Sequence, residues 1–253
     1  MYQGRYFTRS RVNVCGEFMD GDIYPVYQPA GKRRKRCNPT KEIQSKLNQR
    51  NAEKKLTRLA HLNFTENDLA LHLTYRDGEQ PETIEEAERI LDNYIRCLRR
   101  KYTKAGLVLK YIRATERGGK NGRIHHHLII SGGLDRDLLE ETWGRGYANS
   151  KRLQFDEHGI TGLAHYMAKD RVTFKRWSGS RNLIKPEPVV KDNEYNMGDV
   201  EDIVDLIETK NIWAYFEKRY PEYELIDAKY TQNGVNRGYY IHFEMRRKRT
   251  RGR

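Results

Sequence analysis

The chain has 253 residues, enough for one substantial hydrophobic core with a smaller annex, and it carries a formal net charge of +13 at pH 7. The basic excess is concentrated in segments 32–36, 97–104, 169–177 and 246–253, a pattern typical of a nucleic-acid-binding protein. Three cysteines without C-x-x-C spacing imply neither a disulfide framework nor a cysteine zinc site. No apolar run resembles a signal peptide or a membrane span, so we expect a cytoplasmic protein without a membrane partner.

Residues 1–62 are predicted to form a basic N-terminal extension. A strand pair is expected in RVNVCGEF and GDIYPVYQ, followed by the basic cluster GKRRKR. After Pro39 the sequence predicts a polar helix that ends near residue 62, with only an irregular apolar stripe.

Residues 63–185 are predicted to form the core. The helix of residues 83–101 is indicated by a T-x-x-E capping box and by apolar residues at helical spacing. The other expected elements are strands 68–75, 107–116, 123–130 and 151–155, and helices 135–144 and 161–171. This order predicts an α+β, ferredoxin-like (split β-α-β) antiparallel sheet with helices on one face.

Residues 186–253 are predicted to form a C-terminal region. It contains an acidic helix at 199–210, an aromatic helix at 212–220, and a hairpin in which YELIDAKY pairs with GYYIHFEM. The chain then ends in the basic tail RRKRTRGR, which we expect to add salt-sensitive affinity for nucleic acid.

The segment 118-GGKNGRIHHHLIISGG-133 contains three consecutive histidines in an apolar strand. Because strand side chains alternate between faces, His125 and His127 share one face and His126 points to the other. If the glycine-rich loop pairs residue 116 with about residue 123, Glu116 lies on the face of His125 and His127. These three residues would form a two-His, one-carboxylate metal site with open coordination positions.

The segment 161-TGLAHYMAKD-170 supplies a candidate nucleophile, Tyr166, and a cation, Lys169, three residues further along the same helix face. Tyrosine is a weak nucleophile unless a metal polarises the phosphate and a cation lies nearby. Two structural interpretations stay open at this point. The histidines could be half-buried strand residues or positive contacts to nucleic acid, and Tyr166 could be a core aromatic with Lys169 at the surface.

Together, Glu116, RIHHHLIISGG and GLAHYMAKD resemble the motifs of the HUH endonucleases, specifically the rolling-circle replication initiators of phages, plasmids and integrative elements. Gokushovirus-type initiators are similar in the same places. The strand LALHLTY resembles the first motif of that family, and 177-WSGSRNLIKP-186 resembles the segment that often follows the tyrosine helix. The resemblance covers roughly residues 20–190.

The resemblance implies a metal-dependent nuclease that binds Mg or Mn through His125, His127 and Glu116. Tyr166 would attack single-stranded origin DNA, form a 5′-phosphotyrosine and release a 3′-hydroxyl that a host polymerase extends. The reverse transfer would close the circle. No G-x-x-x-x-G-K-[ST] motif is present, so strand unwinding would require a host helicase as partner.

The sequence departs from the family pattern in two places. Many initiators carry two tyrosines one helical turn apart, but only Tyr166 is found here, so termination would need a second subunit or an activated water. The middle residue of the histidine motif is usually a bulky hydrophobic, and here it is His126. His165 is a rival third metal ligand, although a helix neighbour of Tyr166 points about 100° away.

Other functions stay open on the sequence alone. A relaxase usually places its tyrosine before the histidine motif, so the order here favours an initiator or a single-tyrosine transposase. A non-catalytic nucleic-acid-binding protein and a nuclease that uses water are further alternatives. Candidate DNA contacts are the basic residues around the site, namely Arg123, Lys120, Arg171, Lys175 and Arg176.

Overall fold

The computed structural model describes residues 4–29, 41–118, 122–169, 175–233 and 237–248. These residues form two antiparallel five-stranded sheets and six helices, which confirms the predicted α+β class. In chain order the elements are β1 (Gly4–Cys15), β2 (Phe18–Pro29), α1 (Lys41–Asn63), β3 (Leu69–Thr74), α2 (Ile84–Lys104), β4 (Tyr111–Gly118), β5 (Arg123–Ile130), α3 (Arg136–Trp143), β6 (Ala148–Arg152), α4 (Thr161–Lys169), β7 (Ser178–Gly179), β8 (Val189–Asp192), α5 (Met197–Glu208), α6 (Trp213–Arg219), β9 (Tyr223–Gln232) and β10 (Tyr239–Arg247). No helix among these residues is long and apolar enough to cross a membrane.

The chain divides into two compact units, Lys41–Lys185 and the combination of Met1–Thr40 with Pro186–Arg253. The sequence suggested three parts, 1–62, 63–185 and 186–253, and the two units differ from that division. Helix α1 lies in the unit of the predicted core, because Leu56, Leu59 and Ala60 are buried in an apolar cluster with residues of α4 and the sheet. Strands from the two ends of the chain share one sheet, in which β2 pairs with β10.

The unit Lys41–Lys185 has the strand order β6-β3-β5-β4-β7. Its elements from β3 to β6 follow the predicted β-α-β-β-α-β order of a ferredoxin-like core. Helix α2 begins as the capping box predicted, since the Thr83 hydroxyl accepts a hydrogen bond from the Glu86 backbone N–H at 3.1 Å. The Glu86 carboxylate accepts from the N–H of Glu82 at 3.0 Å. Strand β5 lies in the middle of the sheet, between β3 and β4.

Helices cover both faces of this sheet, whereas the sequence placed them on one. The apolar residues of α2 and α3 pack on the face that carries Leu71, Leu73 and Leu128. The helices outside the ferredoxin-like core, α1 and α4, pack on the opposite face, around Ala114 and Ile129. The correction arises because the apolar residues of β4 and β5 occur on both faces, and an apolar face is stable only when it is covered.

The second unit contains a sheet of order β8-β1-β2-β10-β9. The predicted strand pair is β1 and β2, and the predicted hairpin is β9 and β10, whose turn at 234–236 lies outside the described residues. Helices α5 and α6 supply Val200, Ile203 and Phe216 to a core with strand residues of this sheet. Phe243 lies over Gly21 on the neighbouring strand, where a Cβ would come within 2.1 Å of its ring. The basic cluster 32–36 lies outside the described residues, as does the tail from residue 249.

Candidate metal centre and tyrosine site

Strand β5 presents its three histidines to two faces of the sheet, as the alternation of strand side chains predicts. His126 is fully buried, with 0 % of its surface exposed, while His125 and His127 are partly buried. Because β5 is a central strand, each histidine has neighbours from both β3 and β4. The partners supplied by those two strands therefore determine what each imidazole can do.

Glu116 lies directly across from His125 in the pairing of β4 with β5. The sequence paired residue 116 with about residue 123, and the observed register is displaced by two residues, which leaves Glu116 on the same face. The Glu116 Oε2 atom is 3.2 Å from Nε2 of His125 and 3.3 Å from Nε2 of His127. The carboxylate and the two imidazoles thus converge at one point.

His72 completes this cluster, and the sequence analysis missed it. It lies on β3 directly across from His127, and the two rings are stacked with their centroids 4.7 Å apart. One ligand atom from each of His72, His125 and His127 lies within 4.8 Å of the others. The available signal was the strand LALHLTY, in which His72 faces away from the leucines, but only the register with β5 brings it to the site.

The donor set fits a divalent metal. The Nε2 atom of His127 is buried without a hydrogen-bond partner among the described residues, because Glu116 is close but not aligned with it. His125 donates from Nδ1 to the carbonyl oxygen of Arg123 at 3.3 Å, which leaves its Nε2 lone pair directed to the cluster. Neighbouring ligands on an ion with bonds of about 2.1 Å would be about 3 Å apart, close to the separations of the Glu116 oxygen from the two Nε2 atoms. The three histidines can therefore hold a metal, with Glu116 beside them.

The pKa values of two of these histidines favour the neutral, metal-binding form. Burial lowers the pKa of His127 to about 3, and the positive charges that His72 and His125 would carry lower it further. Burial also lowers the pKa of His72, with a further decrease from His125 and a smaller opposing effect from Glu116. Neutral imidazole is the form that ligates a metal, so these two side chains are prepared for one at neutral pH.

Tyr166 lies against the cluster. Its ring is perpendicular to that of His127, with the centroids 4.9 Å apart, and 44 % of its surface is exposed. Helix α4 is held on this face because Ala164, Met167 and Ala168 are buried against the sheet and α1. Lys169, three residues after Tyr166, is exposed in the last turn of α4. The tyrosine is thus both in contact with a histidine of the cluster and open to solvent.

His165, the alternative third ligand, does not join the cluster in this structure. Its Nδ1 atom lies 3.3 Å from Oε1 of Glu53 on α1, and 61 % of its side chain is exposed. His165 therefore connects α4 to α1. The expectation that a helix neighbour of Tyr166 points elsewhere agrees with this geometry.

His126 is held by hydrogen bonds on the opposite face. Its Nε2 atom is 2.8 Å from the Tyr75 hydroxyl, and its Nδ1 atom is 2.8 Å from the Thr115 hydroxyl. The Thr115 hydroxyl also donates to the Glu88 carboxylate. Burial lowers the pKa of His126 to about 3, with a smaller contribution from Arg113. This histidine is a neutral, fully buried part of the core and does not contact DNA.

The five candidate DNA contacts have different surroundings. Arg123 donates to Asp77 and to the carbonyl of Tyr75, both at 2.6 Å, and so ties β5 to the residues after β3. Arg176 donates to the carbonyl of Lys169 at 2.8 Å, at the C-terminus of α4, where a cation is favourable. Lys175 is exposed, and Lys120 and Arg171 lie outside the described residues.

Residues 68–171 match the family model of the replication-associated protein ORF2. The matched segment is less than half of the chain, but it includes the whole ferredoxin-like core together with α4. This match supports a replication initiator family for the segment that carries the histidines and Tyr166. Comparison with curated proteins and with solved structures found no significant match.

Proposed function

We propose that the chain is a single-tyrosine replication initiator of the HUH type. It would nick single-stranded origin DNA and later rejoin it through a covalent 5′-phosphotyrosine intermediate. The observation that carries this proposal is the position of Tyr166, an exposed tyrosine whose ring lies 4.9 Å from that of His127 in a cluster able to bind metal. The family match at residues 68–171 and the net charge of +13 support the same function.

His72, His125 and His127, with Glu116, would hold Mg or Mn beside the tyrosine. When bound, the ion would polarise a non-bridging oxygen of the scissile phosphate and lower the energy of the transition state. The stacked ring of His72 and the hydrogen bond from His125 to the backbone would keep the imidazoles in their ligating orientation.

The chain's own residues would carry out the transfer. The Tyr166 hydroxyl oxygen attacks the phosphorus, the bond from phosphorus to the 3′-oxygen breaks, and the 5′-phosphate becomes attached to the tyrosine. The phenolic proton leaves during the attack, and the departing 3′-oxygen takes up a proton to become the 3′-hydroxyl. Lys169, in the next turn of α4, is placed to compensate the negative charge of the phosphate as the new bond forms.

The partners follow from what the chain lacks and what the reaction leaves. A host polymerase would extend the 3′-hydroxyl, and a host helicase would unwind the duplex, since the sequence contains no P-loop motif. With one tyrosine, the final transfer would use a second subunit or a water molecule. Both routes start from the same tyrosine-linked intermediate, so that intermediate is the species to test.

The test uses end-labelled single-stranded oligonucleotides that tile the DNA element encoding the chain. Each is incubated with the protein in Mn²⁺ or in EDTA and resolved on a denaturing gel. We expect one region to give a protein-linked product in Mn²⁺ alone, and we expect Tyr166→Phe to abolish it. Tyr147→Phe is the matched control, because Tyr147 is an exposed tyrosine of the same unit with 64 % of its surface accessible.

Each alternative function has its own outcome in this experiment. Cleavage that survives Tyr166→Phe and leaves no protein-linked product would indicate a nuclease that uses water. Binding without cleavage of any tile would indicate a non-catalytic nucleic-acid-binding protein. Either result would overturn the proposal.

A further inference from the structure

Helix α1 extends beyond the core that its second half helps to build. Leu56, Leu59 and Ala60 are buried, whereas the side chains of residues 44–51 are exposed apart from the partly buried Gln49. At about 1.5 Å per residue these eight residues extend for about 12 Å. Packing therefore does not explain why the helix continues this far.

The extended part of α1 is polar and basic. Between residues 44 and 51, Leu47 is the only apolar side chain, and it is 45 % exposed. Lys46 and Arg50 are both exposed and lie four residues apart, so they are neighbours on one side of the helix. Their spacing along the axis is about 6 Å, comparable with the separation of successive phosphates in an extended DNA strand.

This basic side of α1 leads to the tyrosine helix. Glu53 follows Arg50 by three residues and thus continues the same side of α1. Its carboxylate lies 3.3 Å from His165, the residue next to Tyr166. Lys46, Arg50 and the contact to α4 therefore form one line along the helix, which covers about 10 Å from Lys46 to Glu53.

Two further contacts hold α1 in place relative to α4. The indole N–H of Trp177 donates to the carbonyl of Ala52 at 3.0 Å, and the Lys55 ammonium lies 5.9 Å from the centre of the same ring. Trp177 belongs to the segment that follows α4. Because the helix is anchored at Ala52, Glu53 and Lys55, its basic side is held at a fixed distance from α4.

We propose that Lys46 and Arg50 form a phosphate track for the single-stranded DNA that flanks the scissile phosphate. The inference rests on the proposed function and adds a substrate-positioning surface to it. The track would bind the backbone without reading sequence, and its length corresponds to two or three nucleotides on one side of the nick. Its contribution should appear in substrate affinity and in salt dependence, because it does not touch the reacting atoms.

The experiment compares a minimal cleavable oligonucleotide with versions extended by three to six nucleotides at either end. The double variant Lys46→Ala, Arg50→Ala removes both charges and keeps an exposed helix, since alanine favours helix. Wild-type protein should gain affinity from extension at one end. In the variant we expect KM for the extended substrate to rise about tenfold, with little of that increase for the minimal substrate. We also expect the slope of log affinity against log salt to decrease by about 1.4, or about 0.7 for each lost phosphate contact.

The matched control is Arg96→Ala, Arg100→Ala on α2. These arginines are also exposed and four residues apart, but α2 covers the opposite face of the sheet. The control should leave KM within twofold of wild type. An equal loss in the control, a track variant within twofold of wild type on the extended substrate, or an equal loss on minimal and extended substrates would overturn the inference.

The track and the nicking activity can fail separately. If no oligonucleotide forms an adduct, the proposed function fails, and the track is then tested by anisotropy with fluorescein-labelled oligo(dT) of 6 and 15 nucleotides. Tighter binding of the longer probe that depends on Lys46 and Arg50 would support the track. Equal binding by wild type and the double variant would overturn it.

Discussion

The two faces of β5 give the same side chain opposite properties. On one face, His126 has both ring nitrogens within hydrogen-bonding distance of hydroxyls, from Tyr75 and Thr115. On the other, His127 has a buried Nε2 atom without a hydrogen-bond partner among the described residues, beside a carboxylate and a second imidazole. Burial lowers the pKa of both to about 3, so charge does not distinguish them. Their partners do: a satisfied imidazole stabilises the core, and an unsatisfied one is available to a ligand.

The largest effect is expected when the ligating face is removed. His127→Leu keeps a side chain of similar size but cannot bind metal. We expect Mn²⁺ affinity to decrease at least about 100-fold and adduct formation to decrease by about 10² to 10³, the loss typical of removing one electrostatic contact to a transition state. Calorimetry with Mn²⁺ and a denaturing gel measure the two quantities.

The same variant should be as stable as wild type when no metal is present. The buried Nε2 atom of His127 makes no hydrogen bond within the described part of the chain, so an apolar replacement removes an unsatisfied group. The free energy of unfolding in EDTA, from urea titration, is expected to stay within about 1 kcal/mol of wild type or to rise. A loss of several kcal/mol would show that His127 is a structural residue and would contradict the comparison.

The identical substitution on the other face should have the opposite profile. His126→Leu leaves the buried Tyr75 hydroxyl without its histidine partner and removes one partner of Thr115. We expect the free energy of unfolding to decrease by about 2 to 3 kcal/mol, because an unsatisfied buried polar group costs about 1 to 3 kcal/mol. Mn²⁺ affinity of the folded fraction should change less than fivefold. A larger decrease in affinity than that of His127→Leu would reverse the assignment of the two faces.

The contribution of the third histidine is expected to be smaller. His72→Leu should weaken Mn²⁺ binding by about 10- to 100-fold, as does loss of a group that supports a metal site. Glu116→Gln, which keeps the shape of the side chain and removes its charge, is the companion variant. If His72→Leu has no effect and Glu116→Gln does, the set of two histidines and one carboxylate predicted from the sequence holds without His72.

The smallest effect concerns pH, where the two faces should behave alike. His126 and His127 have pKa values near 3 in the folded chain and an ordinary value of 6.5 when unfolded, so the unfolded state binds more protons between these limits. Stability of the metal-free protein is therefore complete above pH 6.5 and decreases as the pH falls. Each histidine contributes about 1.4 kcal/mol per pH unit in that window.

Urea titrations in EDTA at pH 7, 6 and 5 measure this slope. Each leucine variant should reduce the slope by about one proton, whichever face it changes. An unchanged slope in both variants would mean that neither imidazole is held neutral by burial.

The sequence predicted the elements of the ferredoxin-like core and the shared face of Glu116, His125 and His127, because these depend on strand alternation and on a short hairpin loop. It could not predict His72, because its meeting with His127 depends on which strand lies beside β5 and in which register. The place of α1 was also missed, since the irregular apolar stripe of this helix does not indicate its packing partner. Pairing of β2 with β10 joins strands from opposite ends of the chain, and no local pattern indicates it.

The most direct test of the account is to locate the covalent link to DNA. The adduct formed in Mn²⁺ is digested with nuclease and trypsin, and the peptides are identified by mass spectrometry. Cleavage after Arg152 and Lys169 gives the peptide 153–169, in which Tyr166 is the only tyrosine. We predict that this peptide carries a nucleotide through its 5′-phosphate and that the modification maps to Tyr166. A cleaved oligonucleotide with this peptide unmodified, or a nucleotide attached to another residue, would contradict the account.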